Sequence, residues 1–77
     1  MSYGYSLKLI ELNKASDKEL LGVYLGAVCI KNDVSVAEVA QKLKVSRQAV
    51  YNWFTGVSNP NVQTAIKIEK LIDKLEQ

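Results

Sequence analysis

Apolar residues recur every three or four positions through most of this chain, and residues that start or stop helices fence each run. The clearest pair of runs lies between Val34 and Gly56. Val36, Val39, Ala40 and Leu43 form one stripe, which predicts a short helix over 36–43. Ser35-Val36-Ala37-Glu38 has capping-box spacing at its start, and Val34 with Val39 has the spacing of a hydrophobic staple. Lys44-Val45 makes a corner. Ser46 then caps a second helix over 47–55, with Val50, Trp53 and Phe54 on its apolar side and Gly56 as its stop.

The flanks carry the same kind of punctuation. Ser16-Asp17-Lys18-Glu19 also has capping-box spacing, so a helix is expected to open at Ser16 and end at Asn32-Asp33. Leu21, Leu25, Val28 and Cys29 would face the core. Gly22 and Gly26 lie inside that helix, where each costs about 1 kcal/mol relative to Ala. Close approach by another helix is the compensation their spacing predicts. The last helix spans about 61–76, capped by Asn61, or by Asn59 with Pro60 in its first turn. Ala65, Ile68, Leu71, Ile72 and Leu75 form its core stripe, while Val62 and Ile66 lie to one side as a surplus that a second surface would cover. Residues 1–15 are harder to read. Tyr3, Tyr5, Leu7 and Leu9 alternate as in a strand, whereas Ile10 and Leu12 suit a helical turn with Ser6 as cap. A short helix over about 6–13 is expected.

Composition narrows this to one domain over 1–77, an all-α, compact bundle of four to five short helices. A chain of 77 residues hides only about 60–65% of its unfolded surface, so packing against a second copy would help it. One cysteine and no histidine exclude a disulfide framework or a Cys/His zinc site within one chain. Cys29 reads as a small core residue. No cofactor, metal or small-molecule ligand is expected. Without histidine or clustered carboxylates no acid–base site can be assembled, so an enzyme is not expected. No signal-peptide pattern and no membrane-length apolar run is present. The expected location is cytoplasmic.

Net charge is only +2, but its distribution is uneven. Charges cancel over 1–30 and over 55–77. The excess lies in 31–54, where Lys31, Lys42, Lys44 and Arg47 face Asp33 and Glu38. No acidic residue occurs from 39 to 68. The helix over 47–55 is where this matters. Arg47, Gln48, Tyr51, Asn52 and Thr55 form one continuous face opposite its apolar side. Arg can hold guanine through two hydrogen bonds, and Gln or Asn can do the same for adenine. Tyr51 could touch a phosphate or a thymine methyl. Any surface helix has a polar face, but this one holds bidentate readers rather than the usual Glu/Lys mixture, and it lacks acids that would repel a DNA backbone. At the corner, Ala40 and Ala49 are small where two helices cross, and Val45 is apolar inside the turn.

Val36 to Gly56 resembles the helix-turn-helix of the lambda-repressor and Cro-type regulators of bacteriophages and bacteria. Ala40, the Leu43-Lys44-Val45-Ser46 turn, Val50 and the Trp53-Phe54-Thr55-Gly56 ending carry the resemblance. With the flanking helices it covers about 16–76. The resemblance implies that Arg47 and Gln48 are the main base contacts, with Tyr51 and Asn52 a turn later. It places Ser46, Ser58, Asn59 and Asn61 at phosphates, with Thr55 near the backbone. It further implies a homodimer on a pseudo-palindromic double-stranded operator, acting in a bacterial or phage-infected cell as a transcription regulator, by repression. The surplus apolar residues of the last helix, and residues 1–12, are the candidate dimer surface. Two departures stand out. Lys44 occupies a left-handed turn position where relatives often carry glycine, at about 1 kcal/mol of backbone strain, which a phosphate contact by Lys44 would explain. Val36 stands where relatives often carry a polar residue that touches phosphate and steadies the reading helix. The rival reading is a protein-interaction module, a phage protein binding host polymerase or another regulator, with Tyr51 and Trp53 as contact anchors.

Overall fold

The computed structural model describes residues 6–77, and over these the chain folds as five helices: α1 Leu7–Ala15, α2 Leu21–Lys31, α3 Val36–Leu43, α4 Arg47–Phe54 and α5 Val62–Glu76. The alternating stretch at Tyr3 and Tyr5 lies outside the described residues. Leu7–Ala15 is helical rather than extended, and the Ser6 side chain caps α1 by accepting from the Leu9 amide.

Helix α2 is the central element and packs against α1, α4 and α5, while α3 rests on α4 and α5. Its sequence explains the position. LGVYLGAVCIK carries a single charge, at its end, and Gly22, Val23, Leu25, Gly26, Val28 and Cys29 are all buried. A helix apolar on several sides belongs in the middle of a bundle. Both glycines act as their spacing predicts. A Cβ at Gly22 would lie 2.6 Å from the Trp53 Cβ, and one at Gly26 would lie 2.9 Å from the Phe54 ring. The missing side chains let α2 and α4 approach. Burial pushes the Cys29 thiol up to about 12, with a smaller contribution from the Glu38 carboxylate.

The expected opening of α2 at Ser16 is corrected. Ser16 is extended, with φ −87° and ψ 163°, and closes α1 instead. Asp17 takes the Glu19 amide at 2.9 Å in a local turn, and α2 starts only at Leu21, without a side-chain cap. The reason is competition. An Asx turn satisfies the same amide locally, and the Ser16 hydroxyl has partners elsewhere, 2.7 Å from the Leu12 carbonyl and 2.8 Å from the Thr55 carbonyl.

Three consecutive helices end in one way. After α2, Val34 donates to Cys29 and Asp33 to Ile30; after α3, Val45 to Ala40 and Lys44 to Gln41; after α4, Val57 to Asn52 and Gly56 to Trp53. These are Schellman closures, each turning on a left-handed residue. The residues are Asp33 (φ 57°), Lys44 (φ 58°) and Gly56 (φ 78°). The following Val34 is buried and Val45 is partly buried against the core. The closures therefore set the corners as well as ending the helices. At the far end of the chain Asn61, not Asn59, caps α5 by accepting from the Thr64 amide.

Candidate nucleic-acid interface

Helices α3 and α4 meet at the Lys44-Val45 corner. Lys44 takes the left-handed conformation expected of it, with φ 58° and ψ 46°. Ser35 caps α3 by accepting from the Glu38 amide at 3.1 Å, and Ser46 caps α4 by accepting from Ala49 at 3.1 Å. The Glu38 carboxylate lies 3.8 Å from Lys42. Val50, Trp53 and Phe54 are buried and hold α4 against the core. That burial removes Trp53, 7% exposed, as a contact anchor for a protein partner.

On the opposite side, Arg47 and Gln48 are exposed and Tyr51 and Asn52 are half-buried. Gln48 Nε2 donates to Asn52 Oδ1 at 2.9 Å, so the two amides are coupled one turn apart. In this arrangement Gln48 retains its carbonyl oxygen and one N–H, the acceptor–donor pair that matches adenine. Asn52 retains two N–H donors, suited to groove acceptors. Arg47, Gln48 and Tyr51 also line an open concavity of about 420 Å³ with Ser6, Leu9, Ser35, Val36 and Ala37. No carboxylate lines it. The start of α1 therefore reaches the edge of this face, which the sequence did not indicate.

The residues expected at phosphates divide into two groups. Lys44, Ser46, Ser58, Asn59 and Asn61 are exposed around α4, and Asn61 uses Oδ1 for its cap, leaving its N–H groups to an outside acceptor. Thr55 differs. It is half-buried, and its hydroxyl donates to the Tyr51 carbonyl at 2.9 Å. In that rotamer it offers no proton to a phosphate. Val36 is half-buried beside α4, and its side chain has no polar atom to offer a phosphate.

One residue near the site escaped sequence reasoning. Asn13 is the one buried polar side chain among the described residues, at 2% exposure. Its Nδ2 donates to the Val23 carbonyl at 3.1 Å and to the Phe54 carbonyl at 2.7 Å. A lone Asn in a short amphipathic stretch gives no signal of this. The available hint was the pair of glycines, since a Cβ at Gly26 would lie 2.5 Å from the Asn13 amide nitrogen.

Comparison with known proteins bears on the fold that carries this face. The sequence profile of the helix-turn-helix family matches residues 25–75. A protein of Methanocaldococcus jannaschii named "Putative HTH-type transcriptional regulatory protein" is 42% identical over 40 residues, covering 52% of this chain and 13% of its own length. A protein of Methanococcus vannielii with the same name is 40% identical over 43 residues, covering 56% of this chain and again 13% of its own. The chain thus spans only a small part of the curated relatives it matches. No solved structure is a significant match. The matched span takes in α3, the Lys44 corner, α4 and most of α5, and the chain belongs to the Cro/C1-type helix-turn-helix family.

Proposed function

We propose that this chain binds double-stranded DNA sequence-specifically and regulates transcription, reading the major groove with α4. The observation that carries the reading is the outward face of α4. Arg47, Gln48, Tyr51 and Asn52 stand together on a helix fixed by caps at both ends, in a stretch of chain free of acidic residues from 39 to 68. Arg47 and Gln48 sit in the first turn, where a helix entering the groove brings side chains to base edges. Lys44, Ser46, Ser58, Asn59 and Asn61 surround them and would hold phosphates, which sets register without reading sequence.

The protein acts as a homodimer on a pseudo-palindrome in the cytoplasm, with half-sites about one helical turn apart, and represses by occupying a promoter. Val62 and Ile66, 77% and 51% exposed on α5, are the apolar residues a second copy would cover. The names of the archaeal relatives favour transcriptional regulation over a purely protein-binding role.

The test is selection of bound sequences from a random DNA pool, followed by titration of the selected site across salt concentrations. A two-fold-related motif should emerge, and its affinity should fall steeply with salt as ~6–10 phosphates are neutralised per dimer. Weak binding without sequence preference would favour the protein-interaction module instead.

A further inference from the structure

Helix α1 lies outside the matched span 25–75, yet it grips the end of α4. Asn13 gives its two amide hydrogens to Val23 on α2 and Phe54 on α4. Ser16 Oγ lies 2.8 Å from the carbonyl of Thr55, the next residue. The last carbonyls of a helix have no partner inside it; here Asn13 donates to that of Phe54, and the Ser16 hydroxyl, whose one proton is shared between the Leu12 carbonyl at 2.7 Å and that of Thr55, lies beside the next. The end of α1 is itself secured, because Lys18 Nζ donates to the Asn13 carbonyl at 2.6 Å.

We propose that Asn13 and Ser16 are positioning residues, through which α1 holds the C-terminal end of α4 so that the reading face and the loop after it are preformed. This rests on the reading of α4 as the DNA-contacting helix. Burial alone would be served as well by an apolar residue at position 13, since a buried amide must be fully satisfied merely to break even. What the amide adds is direction. Its two bonds fix where Phe54 sits relative to α2, and Ser16 fixes Thr55. From Thr55 the chain passes into Gly56 and then Val57 and Ser58, whose amides return to the Asn52 carbonyl at 2.9 and 3.3 Å. Asn52 is thus both a reading residue and the anchor of the loop that carries Ser58 and Asn59. Gly26 completes the device by leaving space for the Asn13 amide.

The experiment compares wild type with Asn13→Ala and Ser16→Ala at a temperature where circular dichroism shows each variant fully folded. Two quantities are read: affinity for DNA selected with the wild type, and amide hydrogen exchange of residues 55–58 against Leu71 in the free protein. Positioning predicts binding about 10-fold weaker for Asn13→Ala, with preference lost most at bases read by Tyr51 and Asn52, and faster exchange at 55–58 while Leu71 keeps its protection. Unchanged affinity and a uniform rise in exchange would overturn the proposal, leaving only a contribution to stability. Should Asn13→Ala fail to fold, Ser16→Ala carries the same two readouts, with a smaller expected loss of affinity. If wild type selects no sequence, the DNA-reading function fails, and the exchange pattern still decides whether α1 orders the end of α4.

Discussion

Lys44 is a non-glycine residue held left-handed at the corner that aims α4, and replacing it isolates the cost of that conformation. An L-residue there gives up about 1–2 kcal/mol. Glycine removes that strain but adds freedom to the unfolded chain, worth about 0.5–1 kcal/mol. Lys44 is exposed, and no hydrogen bond or ion pair of its side chain appears among the described residues, so little else is lost. Lys44→Gly should therefore be at least as stable as wild type, by about 0.5 kcal/mol, or ~2–4 °C in a domain of this size. Gly56→Ala is the mirror control. A Cβ there meets its nearest atom at 3.5 Å, an ordinary contact, so only the positive φ opposes it and a loss of about 1 kcal/mol is expected. Asp33→Gly should gain less than Lys44→Gly, because aspartate tolerates the left-handed region better than lysine. Urea unfolding monitored by circular dichroism reads all three as shifts of midpoint at constant slope. On the DNA side, Lys44→Gly should bind no better, since α4 keeps its aim and the phosphate contact proposed for Lys44 is gone. A clear loss of stability in Lys44→Gly would mean that backbone strain is not what the position costs.

Gly22→Ala should destabilise by about 3 kcal/mol or prevent folding, because the new methyl meets the Trp53 Cβ at 2.6 Å and its backbone oxygen at 3.0 Å; thermal melts check this, and near-wild-type stability would contradict the packing of α2 on α4. Cys29 gives a pH signature. Its folded thiol is held at about 12 against an ordinary 9.0, so between those values the unfolded state loses a proton that the folded state keeps, and stability must fall as pH rises, by up to about 1.4 kcal/mol per unit. Denaturation from pH 8 upward should show that extra slope in wild type and not in Cys29→Ala, while parallel curves would contradict the burial of the thiol.

The helices were legible where sequence signals were local and unopposed. Ser6, Ser35, Ser46 and Asn61 each stand directly before an apolar run and each caps it. Ser16 had the same spacing, but a nearer Asp17 turn and a distant partner, Thr55, claimed its surroundings. Spacing alone cannot rank local alternatives against tertiary ones. The left-handed Lys44 was visible because the resemblance marked its position; the equivalent Asp33 was not, although both close helices in the same way. The outward face of α4 followed from helical periodicity. The coupling of Gln48 to Asn52, the inward hydroxyl of Thr55 and the grip of Asn13 did not, because each depends on rotamers or on residues up to 41 positions apart. Val23 shows the same limit on a smaller scale: the expected stripe of α2 omitted it, yet it is fully buried, because a central helix is covered from more than one side.

If α4 reads bases, Arg47→Ala is the variant in which that reading must show. Binding should be measured for wild type and variant on the selected site and on every single-base change within it. The variant should lose about 1–3 kcal/mol, confined to one base position at which it no longer discriminates, with preferences elsewhere retained. An equal loss on all sequences, or none, would contradict base reading by α4.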